Sequence, residues 1–186
     1  MANFLQIEKY LKEKKISYKL ISLRSSPAKR DAGLKVIDLG GEVFTVDQVK
    51  KSGVEEDEIV KTLVIRIGRS QGFNQQNVER SSIKMQFMAL AIRRKDRVDF
   101  KKVRRLFGSK SGLARPEEVL MVCHVPVGAV CPILIEVPLY FDQKVMSLKH
   151  VNMGSGDLKK GLEMKLSDLL LAVGDYKLAD MVIDDP

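Results

Sequence analysis

Residues 126–132, "PVGAVCP", hold a glycine and a proline around three small or apolar side chains. Gly128 can adopt positive φ and let backbone approach a ligand, while Pro132 fixes the exit of the loop. A rigid loop of this kind presents backbone N–H groups as a cradle for an anion or an oxyanion. Its small residues otherwise make a plain connector. The neighbours Cys123 and His124 do not form a nucleophile–base pair by adjacency, because successive residues on a helix point about 100° apart. No P-loop, dinucleotide fingerprint, G-x-S-x-G elbow or H-E-x-x-H is present. "GSGD" at 154–157 reads as a turn signal rather than a phosphate cradle.

A second unusual residue lies upstream. "EIVKTLVIR", residues 58–66, sets Lys61 inside an apolar, strand-like run. Alternation puts Lys61 on one face with Leu63, Ile65 and Ile67. Lysine is seldom buried without a partner or a use. Two readings stand: a strand-end lysine snorkelling to solvent, or an ammonium held for a ligand. Further on, Arg93, Arg94, Lys95 and Arg97 precede "DFKKVRRLFG", whose outer face carries Lys101, Lys102, Arg104 and Arg105. This basic run is either a solvated face or a track for phosphates.

The elements that must position these groups follow from periodicity. Phe4, Ile7 and Leu11, widened by Leu5, make a short amphipathic helix. Ile16, Tyr18 and Leu20 alternate as a strand. Residues 24–44 read as a loop with one short strand at most. Thr45 and Gln48 form a capping box for a helix stopped by Gly53, and acidic residues 55–58 open a one-turn helix. Lys61 follows on its strand, then a long hairpin loop at 68–84, then a partner strand from Ile83 to Ile92. Asp99 caps the basic helix, Phe100, Val103 and Phe107 face inward, and Gly108 ends it. Pro116 opens another helix. Strands are expected at 133–135, 139–142, 149–153 and 158–164, and Ser167 is expected to cap a final helix stopped by Gly174.

The 186 residues suit one domain spanning 1–186. Apolar residues make up 45% and charged residues 30%, enough for a core and against global disorder. No apolar run approaches the roughly 18 residues of a membrane span. Two cysteines and two histidines suit neither a disulfide framework nor a metal centre, so a cytoplasmic setting with no metal or cofactor is expected. The net charge of +8 favours a polyanionic partner. With no tryptophan, a base-stacking platform is disfavoured.

Taken in order, "IVKTLVIR", "RPEEVL", "GAVCP" and "VPLYFD" resemble the YbaK / aminoacyl-tRNA-associated family, relatives of the editing domain inserted in bacterial prolyl-tRNA synthetase. Lys61, Ala114, Glu117, Glu118, Val119, Gly128, Pro132 and Asp142 fall in matching order, as do Asp96 to Asp99 and Gly154. The resemblance covers about 45–173, with the N-terminal helix and strand at 1–23 belonging as well and 24–44 and 68–84 longer than the pattern. It implies a mixed α/β fold, a mainly antiparallel barrel-like sheet flanked by helices. It also implies metal-independent hydrolysis of the ester of mischarged tRNA.

In that reading Lys61, Gly128 and Ala129 carry the reaction. Thr62, His124, Val130, Cys131, Pro132 and Asp142 shape the substrate pocket. Arg93, Arg94, Lys101, Lys102, Arg104 and Arg105 hold tRNA. The implied partners are tRNA and an aminoacyl-tRNA synthetase, with no membrane. His124 and Ala129 stand where the family often has glycine, and Cys131 where it has a small hydroxyl residue, which leaves the amino-acid specificity open. The alternatives are a non-catalytic tRNA- or synthetase-binding module of the same fold and a small-ligand regulatory domain.

Overall fold

A computed structural model describes residues 3–22, 58–68 and 87–184. Within them Asn3 caps helix α1 (Phe4–Glu13) through a reciprocal box with Gln6. Phe4, Ile7 and Leu11 are buried as the period requires, but Leu5 is exposed and does not widen the stripe. The first strand is shorter and out of phase with its expected alternation. Strand β1 (Lys19–Ser22) buries Ile21 and exposes Leu20, although Leu20 pairs with the fully buried Leu162 and Ile21 with Gly161.

The lysine-bearing run is β2 (Val60–Ile67), antiparallel to β3 (Phe87–Arg93) along Val60–Arg66. The expected partner strand is therefore real, although residues 83–86 lie outside the described residues. So do the expected loop at 24–44, all but Gly68 of the loop expected at 68–84, the helix at 45–53 and the first residues of the one-turn helix at 55–58.

Helix α2 (Phe100–Phe107) follows. Asp99 Oδ1 accepts from the N–H groups of Lys101 (2.8 Å) and Lys102 (3.2 Å), and Gly108 closes the helix in the left-handed region. Strand β4 (Ser111–Leu113) then pairs antiparallel with the end of β2. Pro116 opens α3 (Pro116–Cys123), which His124 terminates at φ +53°. No strand forms at 133–135. Leu134 sits at φ +58°, which breaks extended structure there.

The remaining elements are β5 (Leu139–Asp142), a 3-10 turn (Gln143–Ser147), β6 (His150–Gly154), β7 (Lys160–Lys165), α4 (Leu166–Val173) and β8 (Lys177–Ala179). Ser167 does not cap α4. β7 runs straight into that helix through Lys165, leaving Ser167 as its second residue.

The strands form two sheets, β4-β2-β3-β5-β8 and β1-β7-β6. Pairing is mainly antiparallel, with β3–β5 and β5–β8 parallel. Among the described residues a single parallel bridge, Ile59 to Asn152, joins them. Among the described residues the sheets are not closed into a barrel. Alternation on β2 separates two apolar clusters: Val60 and Val64 pack with α1, α3, α4 and the 129–133 loop, while Leu63, Ile65 and Ile67 pack with α2.

The C-terminal tail seals the second cluster. Met181 and Val182 are fully buried, and Lys102 Nζ donates to Asp180 Oδ1, Asp184 Oδ1 and the Val182 carbonyl, each at 2.9 Å. None of the helices in the described residues is long and apolar enough to cross a membrane.

Candidate active site

Lys61 is half-buried, and its ammonium is committed. Nζ donates to the carbonyls of Arg94 (2.8 Å) and Asp96 (2.7 Å), in the turn between β3 and α2. Burial pushes its pKa below the usual lysine value; the Asp96 carboxylate opposes that shift, and Arg94 and Arg97 add to it. Two of its three N–H groups are used, leaving the third without a described acceptor. The snorkelling reading fails on this geometry, since the chain end folds back onto backbone instead of reaching for water.

The turn it holds is rigid for a second reason. Arg93 donates twice to the buried carboxylate of Asp96, at 2.8 and 3.0 Å. Such a bidentate pair fixes both partners.

The 126–132 loop is built from the other side. Gly128 adopts φ +94°, a region that L side chains rarely occupy. Ala129 N–H donates to the Pro126 carbonyl (3.1 Å), and the Ala129 carbonyl accepts from Gly156 N–H (2.9 Å). Among the described residues no backbone acceptor pairs with the N–H groups of Gly128, Val130 or Cys131. Ala129, Val130, Cys131 and Pro132 are buried, whereas Gly128 is exposed.

Strand β6 connects the two features. Paired residues of neighbouring strands point to the same face, so the Ile59–Asn152 bridge puts Asn152 on the face of Ile59 and Lys61. Gly154, two residues on, shares that face. A Cβ built on Gly154 would lie 2.7 Å from the Val130 carbonyl oxygen and 3.0 Å from that of Ala129. Glycine is needed there because the loop backbone rests directly on the strand. The following turn is braced in its turn by α1, with Gly156 packed beneath the Phe4 backbone and Lys160 Nζ 3.8 Å from the Phe4 ring centre. The register thus puts Asn152 and Gly154 on the Lys61 side of β2, while the side chains of Ala129, Val130 and Cys131 pack in the cluster of Val60 and Val64.

Other expected site residues are placed elsewhere. Thr62 points to the opposite face of β2, with Val60 and Val64, so it does not share a pocket with Lys61. Its Oγ1 is buried and unpartnered among the described residues. Asp142 is fully used by backbone: Oδ1 accepts from Lys144 N–H (2.9 Å) and Oδ2 from Met181 N–H (2.8 Å). Its role is to pin the 3-10 turn and the tail. His124 is exposed and serves as the left-handed residue that ends α3.

Burial pushes both the Cys123 and Cys131 thiols up to about 12, though the Ile133 N–H opposes this at Cys131. Neither is a thiolate at neutral pH. Among the basic residues, Lys101, Arg104 and Arg105 are exposed on α2, while Lys102 is clamped to the tail and Arg93 to Asp96.

Sequence reasoning missed two groups. Asn152 interrupts the apolar run "HVNMG" just as Lys61 interrupts its own, and that signal could have found it. Glu118 falls in the family's order without a role there, yet its side chain is fully buried. It accepts from Arg115 N–H (2.8 Å), Arg66 Nη1 (3.1 Å) and Arg115 Nη2 (3.3 Å).

The sequence matches the aminoacyl-tRNA editing domain family over residues 41–171. The chain belongs to that family. No curated protein matches it. A solved structure of a candidate trans-editing enzyme for prolyl tRNA synthetase superposes with a TM-score of 0.69 at 20% identity, covering 99% of both chains. A hypothetical protein gives 0.68 at 22% identity, covering 95% of this chain and 99% of that one. At these identities the structures establish a shared fold. The expected mixed α/β architecture is therefore the observed one.

Proposed function

We propose that this editing-domain protein hydrolyses the ester of mischarged aminoacyl-tRNA in trans. The observation that supports this reading is the close seat of the Ala129–Val130 backbone on Gly154, which holds the glycine–proline loop rigid. Water adds to the ester carbonyl, whose oxygen takes up negative charge facing the loop N–H groups. The ribose oxygen then leaves with a proton, releasing the free amino acid and tRNA with its terminal hydroxyl restored. Lys61 holds the Arg94–Asp96 turn and offers its remaining N–H to the nucleotide end. Single-turnover assays on a panel of mischarged tRNAs test the proposal, and no cleavage of any member would refute it. The complete use of Asp142 by backbone favours a second reading, a tRNA- or synthetase-binding module without turnover, and the same panel separates the two.

Gly128→Ala probes the cradle. An added Cβ would lie 3.5 Å from Leu158 Cδ2, an ordinary approach, so the strain comes from φ alone. The expected cost is about 1–2 kcal/mol in stability. The deacylation rate should fall by about 10²-fold or more, as for one lost oxyanion donor. Melting and single-turnover rates measured side by side check this, and a folded variant cleaving normally would remove Gly128 from the mechanism.

The exposed cations of α2 are expected to track tRNA phosphates. Replacing Lys101, Arg104 and Arg105 by Gln leaves the tail clamp at Lys102 intact. It should flatten the salt dependence of tRNA affinity, by up to about 0.9 in log–log slope for each phosphate no longer neutralised. An unchanged slope makes this a solvated face.

A further inference from the structure

Asn152 is 5% exposed, and its Oδ1 is buried with no hydrogen-bond partner among the described residues. Its neighbours on that face have other commitments. Glu163, opposite it on β7, pairs with Lys19 at 3.4 Å. Ile59, opposite it just before β2, is apolar. Lys61 donates to the carbonyls of Arg94 and Asp96. A buried acceptor left unmade costs about 1–3 kcal/mol, a cost that leucine, with the same number and branching of heavy atoms, would not carry. Beside it the Val130 carbonyl lies against Gly154, while the Ala129 carbonyl already accepts from Gly156 N–H. Among the described residues the Asn152 oxygen is left without a donor.

We infer that Asn152 Oδ1 accepts a hydrogen bond from the aminoacyl-adenosine end of the substrate, given by its α-ammonium or its free ribose hydroxyl. This rests on the editing reading of the site and assigns a specificity-determining role to a residue of β6. Asn152 selects for whichever of these two donors it engages and disfavours the blocked or deoxy end that lacks it, because that end leaves the carboxamide oxygen unpaired.

The probes are stable 3′-aminoacylamino-3′-deoxyadenosines carrying a small panel of amino acids, each with an N-acetyl and a 2′-deoxy counterpart. Binding is read by titration calorimetry and by the shift in melting temperature. The wild type should bind at least one parent compound and prefer it by about tenfold over one of its two counterparts, which identifies the donor. Asn152→Leu should melt at or above the wild-type temperature and lose that preference. Asn152→Ala removes the same atom without adding bulk and reads the same effect if the Leu variant does not fold. The inference is overturned if the wild type binds no member of the panel or shows no preference, or if both variants keep the preference unchanged. Because these amides are not hydrolysed, a protein that binds them but cleaves no mischarged tRNA would refute the proposed catalysis and leave the role of Asn152 standing.

Discussion

Lys61→Met should melt earlier than the wild type and deacylate mischarged tRNA at least about 10²-fold more slowly. A half-desolvated ammonium with nothing to bind would be relieved by methionine, and the fold would gain. The structure reverses that sign, because Nζ holds the carbonyls of Arg94 and Asp96 at 2.8 and 2.7 Å. Methionine keeps the stem's packing and leaves both acceptors unpaired. The cost is about 1 kcal/mol, at the low end for lost hydrogen bonds because the site is only half-buried. The rate falls further than the stability, since a displaced turn and a missing N–H misplace the nucleotide end, and a misplacement of about 1 Å is worth about 10²-fold. Lys61→Arg should recover melting better than rate, as a planar fork does not occupy the place of a compact ammonium. Single-turnover kinetics and thermal melts on both variants decide the matter. A Met variant with wild-type turnover would limit Lys61 to architecture.

Glu118→Ala should give the largest loss of stability, about 3 kcal/mol or more, which lowers Tm by roughly 10 °C in a chain of this size. The carboxylate is fully buried, so removing it strands the Arg115 N–H and leaves the Arg66 guanidinium against the core without its counter-charge. The loss stays near the lower end for a buried pair because the Arg115 side chain is 52% exposed. Burial by itself would raise the Glu118 pKa. The Arg115 N–H, the Arg115 side chain and Arg66 outweigh it and hold the carboxyl below its usual range. A carboxylate depressed in the folded state contributes stability above its unfolded pKa of about 4.3, and that stability is lost as pH falls through the folded value. Wild-type protein should therefore lose part of its advantage over Glu118→Gln below about pH 4. Parallel denaturation curves for the two proteins at any acid pH would contradict the assignment.

Several elements were legible because their signals are local. Asp99, the Phe100–Val103–Phe107 spacing and Gly108 define α2, since a cap, a period and a stop all act within one short stretch. Pro116 marked α3 for the same reason. The alternation around Lys61 gave its strand and its face. Phase failed at β1, where Ile21 and not Leu20 is buried, and at α4, where direct continuation from β7 outweighed the local cap signal.

What the sequence by itself determined, then, is the set of parts: the caps, the strand with a charge in it, the glycine–proline loop and their order, which carries the editing-family resemblance. What only the tertiary structure decided is which parts meet. Lys61 finds its carbonyl partners more than 30 residues away, Asp142 spends its oxygens on Lys144 and Met181, and Lys102 is taken by a tail some 80 residues downstream. Asn152 reaches the face of Lys61 through one parallel bridge. Pairings like these follow from register and chain return, and a polar side chain commits itself to whichever partner the packed backbone brings within about 3 Å.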